Sequence, residues 1–168
     1  IDFFMAKMES VISLKTGDIA PEFTLLDKDN VEHSLSHFQT KYTVIYFYPR
    51  DSTPGCTLQA QGLGDSAKAL KGLNTVVLGI SPDPVKKLAK FVERDELNFQ
   101  LLSDEDHATA DDYGAWGPKK FMGREFDGIL RTTFIVGKDG KLKAVMDKFK
   151  TKDHHSELLA ALKALDLG

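Results

Sequence analysis

The sequence predicts an α/β fold in which a mixed central sheet is flanked by helices, with a β-hairpin near its N-terminal end. Three observations carry that prediction. Short β-branched or aromatic runs alternate along the chain with amphipathic stretches of helical period, the pattern of a sheet covered by helices. Turn-rich tetrapeptides, Asp27-Lys28-Asp29-Asn30 and Gly137-Lys138-Asp139-Gly140, each join two strand-like runs, which adds antiparallel pairs to the sheet. The 168 residues are 42% hydrophobic and 28% charged, the balance of one globular domain with a proper core.

The elements follow in order. Phe23–Leu26 and Glu32–Leu35 form the first hairpin. Tyr42–Tyr48 is almost continuously β-branched or aromatic and reads as a buried central strand. It stops at Pro49, which cannot donate to a ladder. After a loop, a helix is expected from about Cys56 towards Leu70, with Leu58, Leu63, Ala67 and Leu70 as its apolar stripe. Gly62 and Gly64 weaken it, each by roughly 1 kcal/mol if exposed. Thr75–Ile80 is a second buried strand, and Asp83-Pro84 opens a helix as N-cap and first-turn proline. Phe99–Leu102 is a short strand, and Asp104–Tyr113 is helical up to Gly114. Thr132–Val136 and Leu142–Met146 make the last hairpin, and Leu158, Leu159, Leu162 and Leu165 make the final helix amphipathic. A thioredoxin-like arrangement fits this order. A flavodoxin-like sheet would carry more parallel strands and no terminal hairpin.

Several functions are disfavoured at once. With 22 basic and 25 acidic residues the net charge is -3, which builds no broad basic face for nucleic acid. No apolar run reaches the roughly 18 residues of a membrane helix, and Ile1–Ser10 has neither the basic nor the long apolar region of a signal peptide. Residues 1–168 read as one domain, with Ile1–Phe4 as an added remnant ahead of a start at Met5. Cys56 is the single cysteine, so no intrachain disulfide exists, which suits a reducing compartment such as the cytoplasm.

The chemistry concentrates in Tyr46-Phe47-Tyr48-Pro49-Arg50-Asp51-Ser52-Thr53-Pro54-Gly55-Cys56. A buried strand ends at a proline, and a tight loop delivers a cysteine to the first turn of a helix. Free N–H donors and partial positive charge gather there and favour a thiolate. Thr53, three residues before Cys56, brings a hydroxyl near the sulfur, and Pro49 and Pro54 stiffen the loop. A lone cysteine is most often a small buried hydrophobe. On the residues alone that reading and a reactive thiol stand about even.

Pro49-x-x-x-Thr53-x-x-Cys56 resembles the active-site motif of the peroxiredoxins, and Thr53-Pro54-Gly55-Cys56-Thr57 resembles its bacterioferritin comigratory protein (peroxiredoxin Q) subfamily. The similarity extends from Gly17-Asp18-x-Ala20-Pro21-x-Phe23 through Val77–Ser81, Leu102–Glu105 and Tyr113-Gly114-x-Trp116. It continues in Lys119–Glu125 and Gly128-Ile129-x-Arg131-x-Thr133-Phe134. The resemblance implies a thiol-dependent peroxidase that reduces hydrogen peroxide and organic hydroperoxides in antioxidant defence. It makes Cys56 the nucleophile, with Pro49 shielding it, Thr53 hydrogen-bonding the peroxide and Arg131 activating it. It requires no cofactor and implies a monomer. Without it, Arg131 would read as an arginine paired with a surface carboxylate, as Arg50, Arg94 and Arg124 do.

The sequence departs from the pattern in two places. Many relatives carry a resolving cysteine five residues after the nucleophile, where this chain has Gln61, and no second cysteine stands elsewhere. An external thiol (thioredoxin, glutaredoxin or a small thiol) must therefore resolve the oxidised sulfur. A glutamate is frequent three residues after the nucleophile, where Gln59 stands and keeps hydrogen bonding without the charge. Asp104–His107 and Asp153-His154-His155 read as helix entrances rather than metal sites, and Trp116 and Phe121 read as packing. The alternative function is a thioredoxin-fold binding or chaperone domain with a non-catalytic Cys56. A thioredoxin-type reductase would need a Cys-x-x-Cys pair.

Overall fold

A computed structural model describes residues 14–38, 40–49, 54–121, 123–147 and 149–167. The strands are β1 (Thr24–Leu26), β2 (Glu32–Ser34), β3 (Tyr42–Phe47), β4 (Thr75–Ser81), β5 (Gln100–Ser103), β6 (Trp116–Phe121), β7 (Arg124–Ile129), β8 (Thr132–Gly137) and β9 (Leu142–Met146). The helices are α1 (Pro54–Asp65), α2 (Ala67–Gly72), α3 (Val85–Asp95), α4 (Ala108–Asp112) and α5 (His154–Leu167).

Seven strands form one mixed sheet in the order β2-β1-β5-β4-β3-β8-β9. β3 runs parallel to β4, and β4 to β5, while β8 lies antiparallel to β3 and β9 to β8. The unbroken apolar run of β3 is explained by burial on both sides. Ile45 and Phe47 point into one core with Leu78, Phe134 and Tyr113. Val44, Tyr46 and Tyr48 point into the other with Leu63, Leu88 and Leu158. This is the two-residue alternation of a strand whose faces are both covered. α4 contributes to the first core, and α1, α2, α3 and α5 to the second.

The mixed sheet flanked by helices, the N-terminal hairpin and the β8–β9 hairpin match the sequence reading. Four local expectations change. The helix expected from Cys56 to Leu70 is two helices separated at Ser66, whose hydroxyl bonds back to the Gly62 carbonyl at 2.9 Å and turns the chain. Pro84 is the N-cap of α3 rather than its first residue, and the Asp83 carboxylate accepts instead from the Ser81 hydroxyl. The helix expected over Asp104–Tyr113 shrinks to α4, because Asp104 stands outside it and accepts from the Thr109 and Ala110 amides at 3.1 and 2.8 Å. The segment 116–129, to which the sequence reading assigned no strand, is a β-hairpin, β6–β7. Its Gly, Pro and Lys content hides the alternation by which strands are recognised.

Candidate active site

The topology brings three parts of the chain to one end of the sheet. β3 delivers Tyr48 and Pro49 at its C-terminal end, where ligands gather in open α/β sheets. Tyr48 still bonds to the Ile80 carbonyl at 3.1 Å, and Pro49 is half-buried just beyond it. α1 begins at Pro54 and carries Cys56 in its first turn. β8 runs back against β3 with Thr132 opposite Phe47, so Arg131, immediately before β8, reaches the same end.

Cys56 is 2% exposed and packs in the core that holds Tyr46 and Tyr48. The Arg131 guanidinium bridges two acceptors. One N–H group donates to Cys56 Sγ at 3.5 Å, and the other donates to Gln59 Oε1 at 2.7 Å. Cys56 and Gln59 are three apart on α1, so one helical face presents both to the same arginine. Gln59 is wholly buried, and its amide fixes the guanidinium without neutralising it. Arg131 therefore faces the sulfur with its full charge, unlike the surface arginine Arg94, which pairs with Asp95 at 3.0 Å through Nε. The sequence singled out Cys56 and Arg131, and the structure joins them. Pro49 lies at the same end of the sheet, directly after Tyr48. Thr53 lies outside the described residues.

Two side chains gain roles that their local sequence did not suggest. His154, read as part of a helix entrance, is wholly buried with its Nε2 2.8 Å from the Thr133 hydroxyl. Burial, with His155 and Arg131 nearby, pushes it down to about 4, so the ring is neutral at physiological pH. His155 lies against Gly62 of α1. The only sequence signal for either was a polar pair at the start of an amphipathic helix. His107 and Trp116 stack with ring centroids 3.8 Å apart, and Trp116 packs against the first core. Gln61 is exposed on the outer face of α1.

The AhpC/TSA family model matches residues 16–145. A putative peroxiredoxin bcp of Haemophilus influenzae is 54% identical over 152 residues, covering 90% of this chain and 98% of that protein. Peroxiredoxin Bcp of Escherichia coli is 50% identical over 150 residues, covering 89% and 96%. Among solved structures, peroxiredoxin Q of Xanthomonas campestris superposes with a TM-score of 0.82 at 30% identity, covering 92% of this chain and 98% of that one. Peroxidoxin BcpB of Mycobacterium tuberculosis gives 0.80 at 34%, covering 90% and 98%. Half identical to these proteins over most of its length, the chain belongs to the AhpC/TSA family as a peroxiredoxin, a thiol-dependent peroxidase, of the bacterioferritin comigratory protein (peroxiredoxin Q) kind.

Proposed function

We propose that this enzyme reduces hydrogen peroxide and organic hydroperoxides by a one-cysteine cycle. The Cys56 thiolate attacks the terminal peroxide oxygen, the S–O bond forms and the O–O bond breaks. The remaining oxygen leaves as hydroxide or alkoxide and takes a proton to become water or alcohol. Cys56 is left as a sulfenic acid, which condenses with an external thiol to a mixed disulfide and water. A second external thiol attacks that disulfide and returns Cys56 to the thiol.

The observation that carries this reading is the Arg131 bridge between Cys56 Sγ and the neutral Gln59 amide, together with a single cysteine in the sequence. A permanent cation beside the sulfur favours the thiolate and the charge that shifts to the leaving oxygen. In this reading Thr53 hydrogen-bonds the bound peroxide and Pro49 shields the sulfur from bulk water. The reductant is thioredoxin, glutaredoxin or a small thiol, and the enzyme acts as a cytoplasmic monomer. Among the described residues no helix is long and apolar enough to cross a membrane. The test is the intact mass after one equivalent of peroxide. One added oxygen on the wild type, absent in Cys56→Ser and replaced by a mixed disulfide once thiol is added, is expected. An oxygen located on a methionine instead would overturn the proposal.

A further inference from the structure

Hairpin β6–β7 turns a second basic residue, Lys119, towards its Gly128 end, from which Arg131 follows. Lys119 stands opposite Phe126, and Gly117 opposite Gly128. Residues directly opposite in an antiparallel pair share a face, and neighbours along a strand alternate. Lys119 therefore shares its face with Phe126, Gly117 and Gly128. The hairpin's carboxylates, Glu125 and Asp127, lie on the other face and are exposed.

Gly128 leaves the room that the lysine uses. A Cβ there would stand 3.2 Å from Lys119 Cδ and 3.4 Å from Phe126 Cε2. The stem of Lys119 thus leans diagonally across the hairpin, from its partner Phe126 towards Gly128, which is the end from which Arg131 follows. The Leu130 amide bonds to the Ala115 carbonyl at 2.7 Å and fixes that end. Lys119 is half-buried, and none of the ion pairs among the described residues includes it. Burial and the neighbouring Arg131 hold its ammonium below the ordinary lysine range, while charge on Cys56 acts in the opposite sense.

A partly desolvated ammonium with no carboxylate partner among the described residues calls for another anion. We propose that Lys119 is a second cation of the Cys56 site, stabilising the thiolate together with Arg131 and facing the negative charge that moves to the departing oxygen. Gln59 of α1 is an amide, and His154 of α5 is buried beside Arg131 and uncharged at physiological pH. Two cations then face one thiolate, and Lys119 acts on the sulfur through space rather than by contact.

The mechanistic part of this inference rests on the peroxidase reading of Cys56, and its test separates the two. The rate of Cys56 alkylation by iodoacetamide is followed against pH, without peroxide, in wild type, Lys119→Met, Lys119→Arg and Gly128→Ala. Lys119→Met moves the midpoint of the profile up by about one pH unit, roughly tenfold in rate on its acid limb. Lys119→Arg restores the wild-type profile. Gly128→Ala keeps the charge but displaces the stem, and moves the midpoint in the same direction by less. The rates with hydrogen peroxide, taken next, fall in the same order. A Lys119→Met profile that overlays the wild type overturns the role of Lys119, even if the wild type reacts quickly with peroxide. A wild type that reacts slowly with peroxide overturns the peroxidase reading, while the alkylation profile still decides the lysine.

Discussion

At the scale of single residues, reactivity depends on where Arg131 points. Its guanidinium could swing to solvent, and Gln59 is what holds it on the sulfur, through a 2.7 Å bond from a wholly buried amide. A hydrogen bond to a charged group contributes about 1.5–3 kcal/mol. Gln59→Leu keeps the volume and removes the acceptor, so the rate of Cys56 oxidation by peroxide should fall about tenfold or more. In an Arg131→Ala background the same change should have little further effect, because the two side chains act as one unit. Equal losses in both backgrounds, measured by stopped-flow, would show that Gln59 acts independently of the arginine.

At the scale of elements, α1 is held by its seam with α5. A Cβ on Gly62 would lie 2.9 Å from His155 Cγ, whereas one on Gly64 would meet only the exposed Asn98 side chain, at 3.3 Å. The glycine pair therefore does two different things. Gly62→Ala should lower the melting temperature by about 2–4 °C, because crowding of about 1–3 kcal/mol outweighs the gain of about 1 kcal/mol in helix propensity. Gly64→Ala should leave stability unchanged or raise it. Thermal unfolding of the two variants separates these outcomes. The sequence showed a weakened helix at both positions, because propensity registers the missing Cβ but not the ring packed against it. The same limit hid hairpin β6–β7. Lys119, Pro118 and Gly117 carry no apolar alternation, so the strands exist through pairing with β7 rather than through local preference. By contrast, β3 and β8 were legible because burial on both faces leaves only apolar or β-branched choices at nearly every position. Cys56 and Arg131 were legible only through family motifs, since residues 75 positions apart leave no local trace of their contact.

At the scale of the whole molecule, His154 ties stability to pH. The ring lies between the sheet and α5, bonded to Thr133 and close to Phe149 and Tyr46 at centroid distances of 4.5 and 5.9 Å. Its proton affinity is depressed to about 4 in the fold from the ordinary 6.5. Between these values the unfolded chain binds the proton and the folded chain does not, so stability falls as pH falls from about 6.5 towards 4. This one group can remove up to about 3 kcal/mol across that window. Denaturant unfolding from pH 7 to 4.5 should show that decline, and His154→Gln should flatten it, at some cost in stability at pH 7. An equally steep decline in the variant would assign the acid sensitivity to other groups. The central claim is that this molecule is arranged to make one thiol reactive. Fully reduced protein mixed with stoichiometric hydrogen peroxide tests it most directly, through the rate constant of Cys56 thiol loss. The account predicts loss orders of magnitude faster than a free thiol at the same pH, slowed in Arg131→Ala. A rate equal to that of a free thiol would contradict it.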